Sequence, residues 1–336
     1  MPKAVALRKI EGKPGSVYYP LEVISQPEQA PKDDEVVIKI SAAALNHRDL
    51  FCRQHLYPGT TWGVPLLADG AGVVVATGAN AKQWQGKRVI LNPGTGWKND
   101  LQAPDGNYSI LGGTKFNPVG TLSETVTVSA SEIEDAPAHL SSIEAAALPL
   151  TGLTAWRALV TKSGNAKAGS NILVTGIGGG VALMALLLAV KLGAKGGVSY
   201  KEQGWEKKLL GMLPKGTLFD AIIDGAGGDI VEKGVRLLKQ GGVISIYGMT
   251  TGPKMPFVMG AVLKHIDVRG VTMGSRKEFK EMVRFVGEKK LVPVVSRTVS
   301  GLENLDGIDG LFEDMKSGSQ FGKLVIEVSK DSASKL

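Results

Sequence analysis

The 336-residue chain has a single cysteine, Cys52, and four histidines. One thiol excludes a disulfide framework and allows a reducing compartment. Aromatic residues are scarce at 6%, and the 39 Lys and Arg residues are scattered, with no run of four. The net charge of +7 therefore reads as a solvated basic surface, not as a nucleic-acid interface. The longest apolar run, Val181–Val190, is well short of the ~20 residues a membrane helix needs. The stretch Met1–Gly15 lacks the apolar centre of a secretory signal. What remains is ordinary globular composition, 43% hydrophobic and 21% charged, with length for about two domains.

The last three residues, Ser334, Lys335 and Leu336, spell a carboxy-terminal peroxisomal address after a polar Ser329–Ser334 stretch. The expectation is a peroxisomal matrix protein with the import receptor as one partner and no membrane partner.

The chain reads as two kinds of sequence. Val36–Ile40, Gly72–Ala76, Arg88–Leu91 and Glu124–Val128 are short β-rich runs bounded by Gly, Pro and Asn, and Pro93–Gly120 is loop-rich. This half reads as a small β-barrel. From Ser141 a helix begins, with a turn at Pro149–Gly152 and a second helix after it. Beyond Asn171 strands and helices alternate: Asn171–Thr175, Gly197–Tyr200, Phe219–Asp224 and Val243–Tyr247 as strands, with Gly180–Leu192, Gln203–Met212 and Ile230–Leu238 as helices. Such alternation means a parallel sheet covered by helices. Phe279–Gly287 reads as a further helix and Leu324–Val328 as a last strand.

The turn Gly176-Ile-Gly-Gly-Gly-Val-Ala182 lies between the first of these strands and the longest apolar helix. A strand, a glycine turn and a helix start together aim backbone N–H groups and the helix dipole at a phosphate. Gly176 permits the tight turn, Gly179 and Gly180 let a pyrophosphate approach the backbone beside Val181, and Ala182 permits close helix–strand packing. A strict G-x-G-x-x-G fails because Val181 stands where glycine is required. No acidic residue ends the next strand; Tyr200 and Lys201 stand there, which favours NADPH over NADH.

With Leu45-Asn-His-Arg-Asp-Leu50, Ala68-Asp-Gly-Ala-Gly-Val73, Ala145–Trp156, the glycine turn and Phe321-Gly-Lys-Leu-Val325 in this order, the chain resembles the medium-chain dehydrogenase/reductase superfamily along almost its whole length. The nearest likeness is to its quinone-oxidoreductase-like and enoyl-reductase-like branches. The resemblance implies an α/β protein: a GroES-like barrel domain over 1–146, completed by 275–336, and a Rossmann-like doubly wound domain over 147–274. The zinc ligands of the superfamily's alcohol dehydrogenases match Asn46, Ala68 and Leu150, and the cysteine-rich structural zinc lobe is missing, so no metal is expected. A site from His47, Cys52 and His55 lacks suitable spacing.

The same resemblance makes Tyr57 the catalytic phenol, with Asn46 orienting a substrate oxygen or the nicotinamide ribose. It puts Thr154 under the nicotinamide and Tyr200 near the adenosine 2′-phosphate. Gly225 and Gly248 fall at strand ends, where cofactor contacts belong, and Gly322 and Lys323 close the site. Arg48 and Asp49 read as holding the turn. One departure stands out: Gly193–Tyr200 joins two places that the family keeps apart, so one strand–helix unit reads as absent.

The expectation is a zinc-independent, NADPH-dependent reductase of activated double bonds or quinones acting on a small molecule. The alternatives are zinc-independent alcohol or aldehyde chemistry, or a non-catalytic relative with impaired cofactor binding. A homodimer through Val243–Tyr247 as an edge strand is also open.

Overall fold

The computed structural model describes residues 1–191, 196–199, 202–252 and 254–329. Tyr200 and the Ser334–Leu336 tail lie outside the described residues. The chain forms two units, Met1–Leu150 with Ser275–Leu336, and Thr151–Gly274.

The first unit starts with β1 (Lys3–Leu7), β2 (Leu21–Ser25), β3 (Glu35–Ala44), α1 (His47–Arg53), β4 (Asp69–Thr77), β5 (Arg88–Leu91), β6 (Gly94–Thr95), β7 (Ser109–Ile110), β8 (Thr125–Ser129), β9 (Ile133–Asp135) and α2 (Ser142–Ala146). The chain leaves it through α3 (Pro149–Trp156). The second unit holds β10 (Ile172–Val174), α4 (Gly180–Lys191), α5 (Trp205–Gly211), β11 (Phe219–Asp224), α6 (Ile230–Leu237), β12 (Leu238–Ile246), α7 (Met259–Leu263) and β13 (Asp267–Gly270). The chain then returns to the first unit with α8 (Arg276–Lys289), β14 (Val295–Ser300), α9 (Leu305–Ser317) and β15 (Lys323–Glu327).

In the first unit one sheet runs β14-β15-β3-β4-β5-β9, with β8 also paired to β3. β3 shows why. Its first half alternates, with Val36, Ile38 and Ile40 buried and Lys39 exposed, the period of a half-buried strand. Its second half, Ser41–Ala44, is small and buried throughout, so a strand can pair on either side at close approach. Ala44 faces Asp69 of β4 on one side and Val325 of β15 on the other. The last strand of the chain therefore sits directly against the residues that lead into α1. α9 seals this core with Ile308, Leu311, Phe312 and Met315, an i, i+3, i+4, i+7 stripe. α8 begins at a capping box in which Ser275 and Glu278 satisfy each other's backbone N–H groups.

The second unit is a parallel sheet in the order β10-β11-β12-β13. Leu173, Ile222 and Ile244 point to one face, where Leu209 of α5, Ile230, Val231 and Leu237 of α6 and Ala261 of α7 cover them.

Three readings of the sequence change. Pro149 starts a helix and not a turn, because proline's fixed φ and missing N–H suit the first helical position. The 197–199 stretch is irregular where a strand was expected. The strand holding Val243 lies between β11 and β13, so it is interior and offers no edge to another subunit; among the described residues β10 and β13 are the edges. Among the described residues no helix is long and apolar enough to cross a membrane.

Entry into β15 depends on Gly322. Its φ is +110°, and a Cβ there would stand 2.4 Å from the carbonyl oxygen of Val294. Gly322→Ala is expected to lower the melting temperature by about 4–8 °C, from roughly 2 kcal/mol of backbone strain in a unit of this size. A scanning calorimetry trace unchanged from wild type would contradict this.

Candidate active site

The β15–β3–β4 register brings three residues together that are distant in sequence. Lys323 opens β15, Asn46 follows β3 and Asp69 opens β4. The Lys323 ammonium donates to Leu45 O at 2.7 Å, to Asn46 Oδ1 at 2.7 Å and to Asp69 Oδ2 at 2.8 Å. These use all three of its hydrogens. The same Asp69 oxygen accepts from Asn46 Nδ2 at 2.9 Å, and its other oxygen accepts the Leu150 N–H at 2.7 Å. The ion pair is almost wholly out of water, with the side chains of Lys323 and Asp69 4% and 0% exposed.

This arrangement decides which way the Asn46 amide faces. An ammonium can only bond its oxygen, and a carboxylate can only bond its nitrogen. One Nδ2 hydrogen is left over beyond the bond to Asp69.

Asn46 is also the N-cap of α1, where Asp49 accepts its backbone N–H at 2.8 Å. The other Asp49 oxygen accepts from Arg48 at 3.0 Å. Arg48 holds the carbonyls of Leu111 and Gly112 at 2.9 and 2.8 Å, and its guanidinium lies 4.6 Å from the centre of the Tyr57 ring. Tyr57 and Asn46 are thus joined through Asp49 and Arg48. The Tyr57 carbonyl accepts from the Thr60 hydroxyl at 2.7 Å, which fixes its turn. Burial raises the Asp49 carboxyl above its ordinary value, against the pull of Arg48 and the Asn46 N–H.

Cys52, His47 and His55 do not form a metal site. Cys52 is fully buried and its thiol is pushed up to about 11, by burial first of all. Burial also lowers His47, and His55 Nδ1 is 2.6 Å from the Tyr19 hydroxyl. Among the described residues no three His, Cys, Asp or Glu side chains gather to hold an ion.

In the second unit the glycine turn links β10 to α4. Gly176 has φ +62°, the left-handed conformation that favours glycine. Gly179 is different: a Cβ there would meet nothing nearer than Gly176 O at 3.8 Å. Nothing among the described residues excludes a side chain at 179, so the space there is open. The first-turn N–H groups of α4, at Gly180, Val181 and Ala182, have no intrahelical acceptor. The turn fits the pyrophosphate of a dinucleotide.

The turn is anchored by Asp224 at the end of β11. This carboxylate accepts from the Thr175 hydroxyl and from the N–H groups of Ala226 and Gly227 at 3.1 and 2.7 Å. Burial raises its pKa. Gly225 and Gly248 are explained by packing inside the unit: a Cβ at Gly225 would enter the Tyr247 ring, and one at Gly248 would reach Gly225 O at 3.0 Å. Thr154 is buried on α3, its hydroxyl 3.7 Å from Met273 Sδ.

The comparisons with known proteins follow the same division. Residues 32–138 match the family described as alcohol dehydrogenase GroES-like domain, and residues 175–288 the family described as zinc-binding dehydrogenase. The chain is 50% identical to the zinc-type alcohol dehydrogenase-like protein YogA of Leptosphaeria maculans, across 98% of this chain and 100% of that one. The chain belongs to the medium-chain dehydrogenase/reductase superfamily. The Leptosphaeria alignment runs over 360 positions although this chain has 336 residues, so the relative carries residues that this superfamily member does not. An acryloyl-coenzyme A reductase of Sulfurisphaera tokodaii is 26% identical over 92% of this chain and 96% of its own. A crystal structure described as an NAD-dependent alcohol dehydrogenase superposes with a TM-score of 0.83 at 30% identity, over 97% of this chain and 100% of that one. The GroES-like and Rossmann-like architecture and the oxidoreductase class of the superfamily hold for this chain.

The superfamily's zinc does not fit. Of the three matched positions, Ala68 has no donor, Leu150 offers only a backbone N–H that Asp69 takes, and the Asn46 amide is held by Lys323 and Asp69. Lys323, read from the sequence as a cofactor contact, is turned inward with every donor used. Asp69 and Asp224 received no role from the sequence. The signal for Asp69 was an acid in a strand of Gly, Ala and Val, which needs a buried cation, and Lys323 is the one it meets.

Removing either member of a buried ion pair strands the other. Lys323→Met and Asp69→Asn are each expected to cost about 3–5 kcal/mol. The double variant should cost clearly less than their sum. Additive losses in denaturant titration would mean the pair does not act as a unit.

Proposed function

We propose that this chain is a nicotinamide-dependent reductase of activated double bonds, taking enones, quinones or enoyl thioesters, and that it works without zinc. The observation that carries this reading is the pinned Asn46 amide, joined through Asp49 and Arg48 to the Tyr57 phenol. A fixed amide hydrogen is a donor for the oxygen that gains charge as a conjugated carbonyl is reduced. Preorganised donors of this kind stabilise charge that exists only in the transition state. The Tyr57 hydroxyl is a proton source for the resulting enolate. A reduced nicotinamide, when bound, supplies the hydride. The turn at Gly176, Gly179 and Gly180 offers N–H groups to its pyrophosphate.

Two relatives named acryloyl-coenzyme A reductase, 26% and 27% identical, support a conjugated thioester as substrate. Alcohol oxidation is the weaker reading, because the residues at 46, 68 and 150 do not fit the zinc that the zinc enzymes use to polarise a carbonyl. The missing acid after the glycine turn favours NADPH over NADH.

A panel of cyclic and open-chain enones, benzoquinones and C3–C16 enoyl-CoA thioesters, assayed by absorbance at 340 nm with each reduced cofactor, tests the reading. Turnover is expected with at least one class. Tyr57→Phe should lower kcat by roughly 10²-fold while leaving cofactor affinity unchanged. No turnover with any member would sink the proposal, and full activity in the Tyr57 variant would remove the phenol from it.

A further inference from the structure

Three loops of the first unit meet at the turn that carries Tyr57. The Gly15 N–H donates to Gln54 O at 2.8 Å and the Gly63 N–H to Leu7 O at 3.2 Å, which ties the 8–15 loop to the 54–63 loop. The Lys115 N–H donates to Gly59 O at 2.9 Å and the Thr61 N–H to Gly113 O at 3.1 Å, which ties the 111–117 loop to the same turn.

Gly59 is the seat of Phe116. Its φ is +74°, and a Cβ there would stand 2.2 Å from the Phe116 ring. Only glycine meets both demands. The ring is thereby fixed on a residue two places from Tyr57, yet it stays 61% exposed. Leu56, the neighbour of Tyr57, is 55% exposed. Apolar surface left in water beside a reacting group is suited to the apolar arm of a ligand.

Positive charge gathers on the same three loops. They carry Arg8, Lys9, Lys13 and Lys115 against the single acid Glu11, where the whole chain has 39 basic and 32 acidic residues. All four cations are exposed. Elsewhere in this unit Lys3, Lys32, Lys87 and Lys316 pair with Glu303, Glu35, Asp135 and Glu313. Among the described residues none of the four loop cations forms an ion pair. Lys9 and Lys115 stand instead over aromatic rings, their Nζ atoms 4.9 and 5.6 Å from the centroids of Trp62 and Phe116. The charge is thus held in place and not neutralised.

We propose, resting on the reductase activity proposed above, that this basic rim binds the phosphates of coenzyme A, so that the substrate is an enoyl-CoA thioester whose pantetheine arm lies along Leu56 and Phe116. Ammonium groups are compact point charges on flexible stems, suited to a phosphate chain that carries several charges. A rim of one sign steers such an anion to the turn. Contacts to this remote part of the substrate hold the conjugated carbon where the reaction needs it.

The test compares one acyl group on two carriers, crotonyl-CoA and crotonyl-N-acetylcysteamine, which lacks the nucleotide. Initial rates are measured with the purified full chain at low and at high salt. At low salt kcat/KM is expected to favour the CoA thioester by about tenfold or more, and the ratio should shrink as salt screens exposed charges. Lys13→Glu with Lys115→Glu should cut the ratio by about tenfold, because rim charges act on encounter and its salt dependence. Lys82→Glu, the same charge change in the 79–84 turn of this unit, should leave the ratio unchanged. Equal kcat/KM for the two thioesters, a ratio indifferent to salt, or faster turnover of crotonyl-acyl carrier protein than of crotonyl-CoA would overturn the inference and leave the reductase reading standing. No turnover of either thioester or of any enone would overturn both.

Discussion

The ion pair between Lys323 and Asp69 sets the terms for the first unit. A buried ammonium is tolerated only when every hydrogen has an acceptor, because desolvation costs several kcal/mol per ion. The acceptors here are a carbonyl, an amide oxygen and a carboxylate from three separate stretches of chain. None can be replaced by water, since the pair is sealed. The site is therefore complete only when β15, the last strand, has closed on β3. The second unit is inserted between the parts that must meet, and the entropy of closing so long a loop grows only slowly with its length. That is why an insertion of this size is compatible with a site built from residues 46, 69 and 323.

Charge balance follows from the same geometry. Two buried cations, Arg48 and Lys323, face two buried acids, Asp49 and Asp69. The cluster is formally neutral when both acids are ionised. Its capacity to polarise a bound oxygen then lies in oriented dipoles, the Asn46 amide first among them. In a low-dielectric setting such dipoles act strongly without reorganising. The raised Asp49 carboxyl shows the cost of that setting: burial outweighs the adjacent guanidinium and the N–H it accepts.

Much of the scaffold was legible because its signals are local. Val- and Ile-rich runs gave β3, β5 and β11, and the glycine turn marked the start of α4. The misreadings came from signals with two meanings. Proline at 149 punctuates a turn or opens a helix, and only the N-cap geometry distinguishes them. The Gly197–Tyr200 run had strand-like composition, yet its described residues, 197–199, are irregular. The interior place of β12 was invisible, since strand order is a long-range property. Lys323 was misplaced for the same reason. A lysine after glycine near the chain end reads as facing a ligand until the register of Val325 on Ala44 is known. Asp69 lay in a recognised motif, yet its partner is 254 residues away.

The place of β10 in the described sheet sets how the phosphate turn is held. In a full doubly wound fold, strand 1 is central and is braced from both sides. β10 is only three residues long, and among the described residues it pairs with β11 alone, through Ala221, Ile222 and Ile223. A short edge strand resists unwanted pairing but is a weak mount for a turn that must keep its N–H groups aimed. The bracing comes instead from the end of β11. The Thr175 N–H reaches Ile223 O at 3.1 Å, and its hydroxyl bonds the Asp224 carboxylate, which in turn gathers the N–H groups of the following turn. One buried acid thus ties both strand ends into a single rigid mouth. That anchoring is what a pyrophosphate requires of the turn.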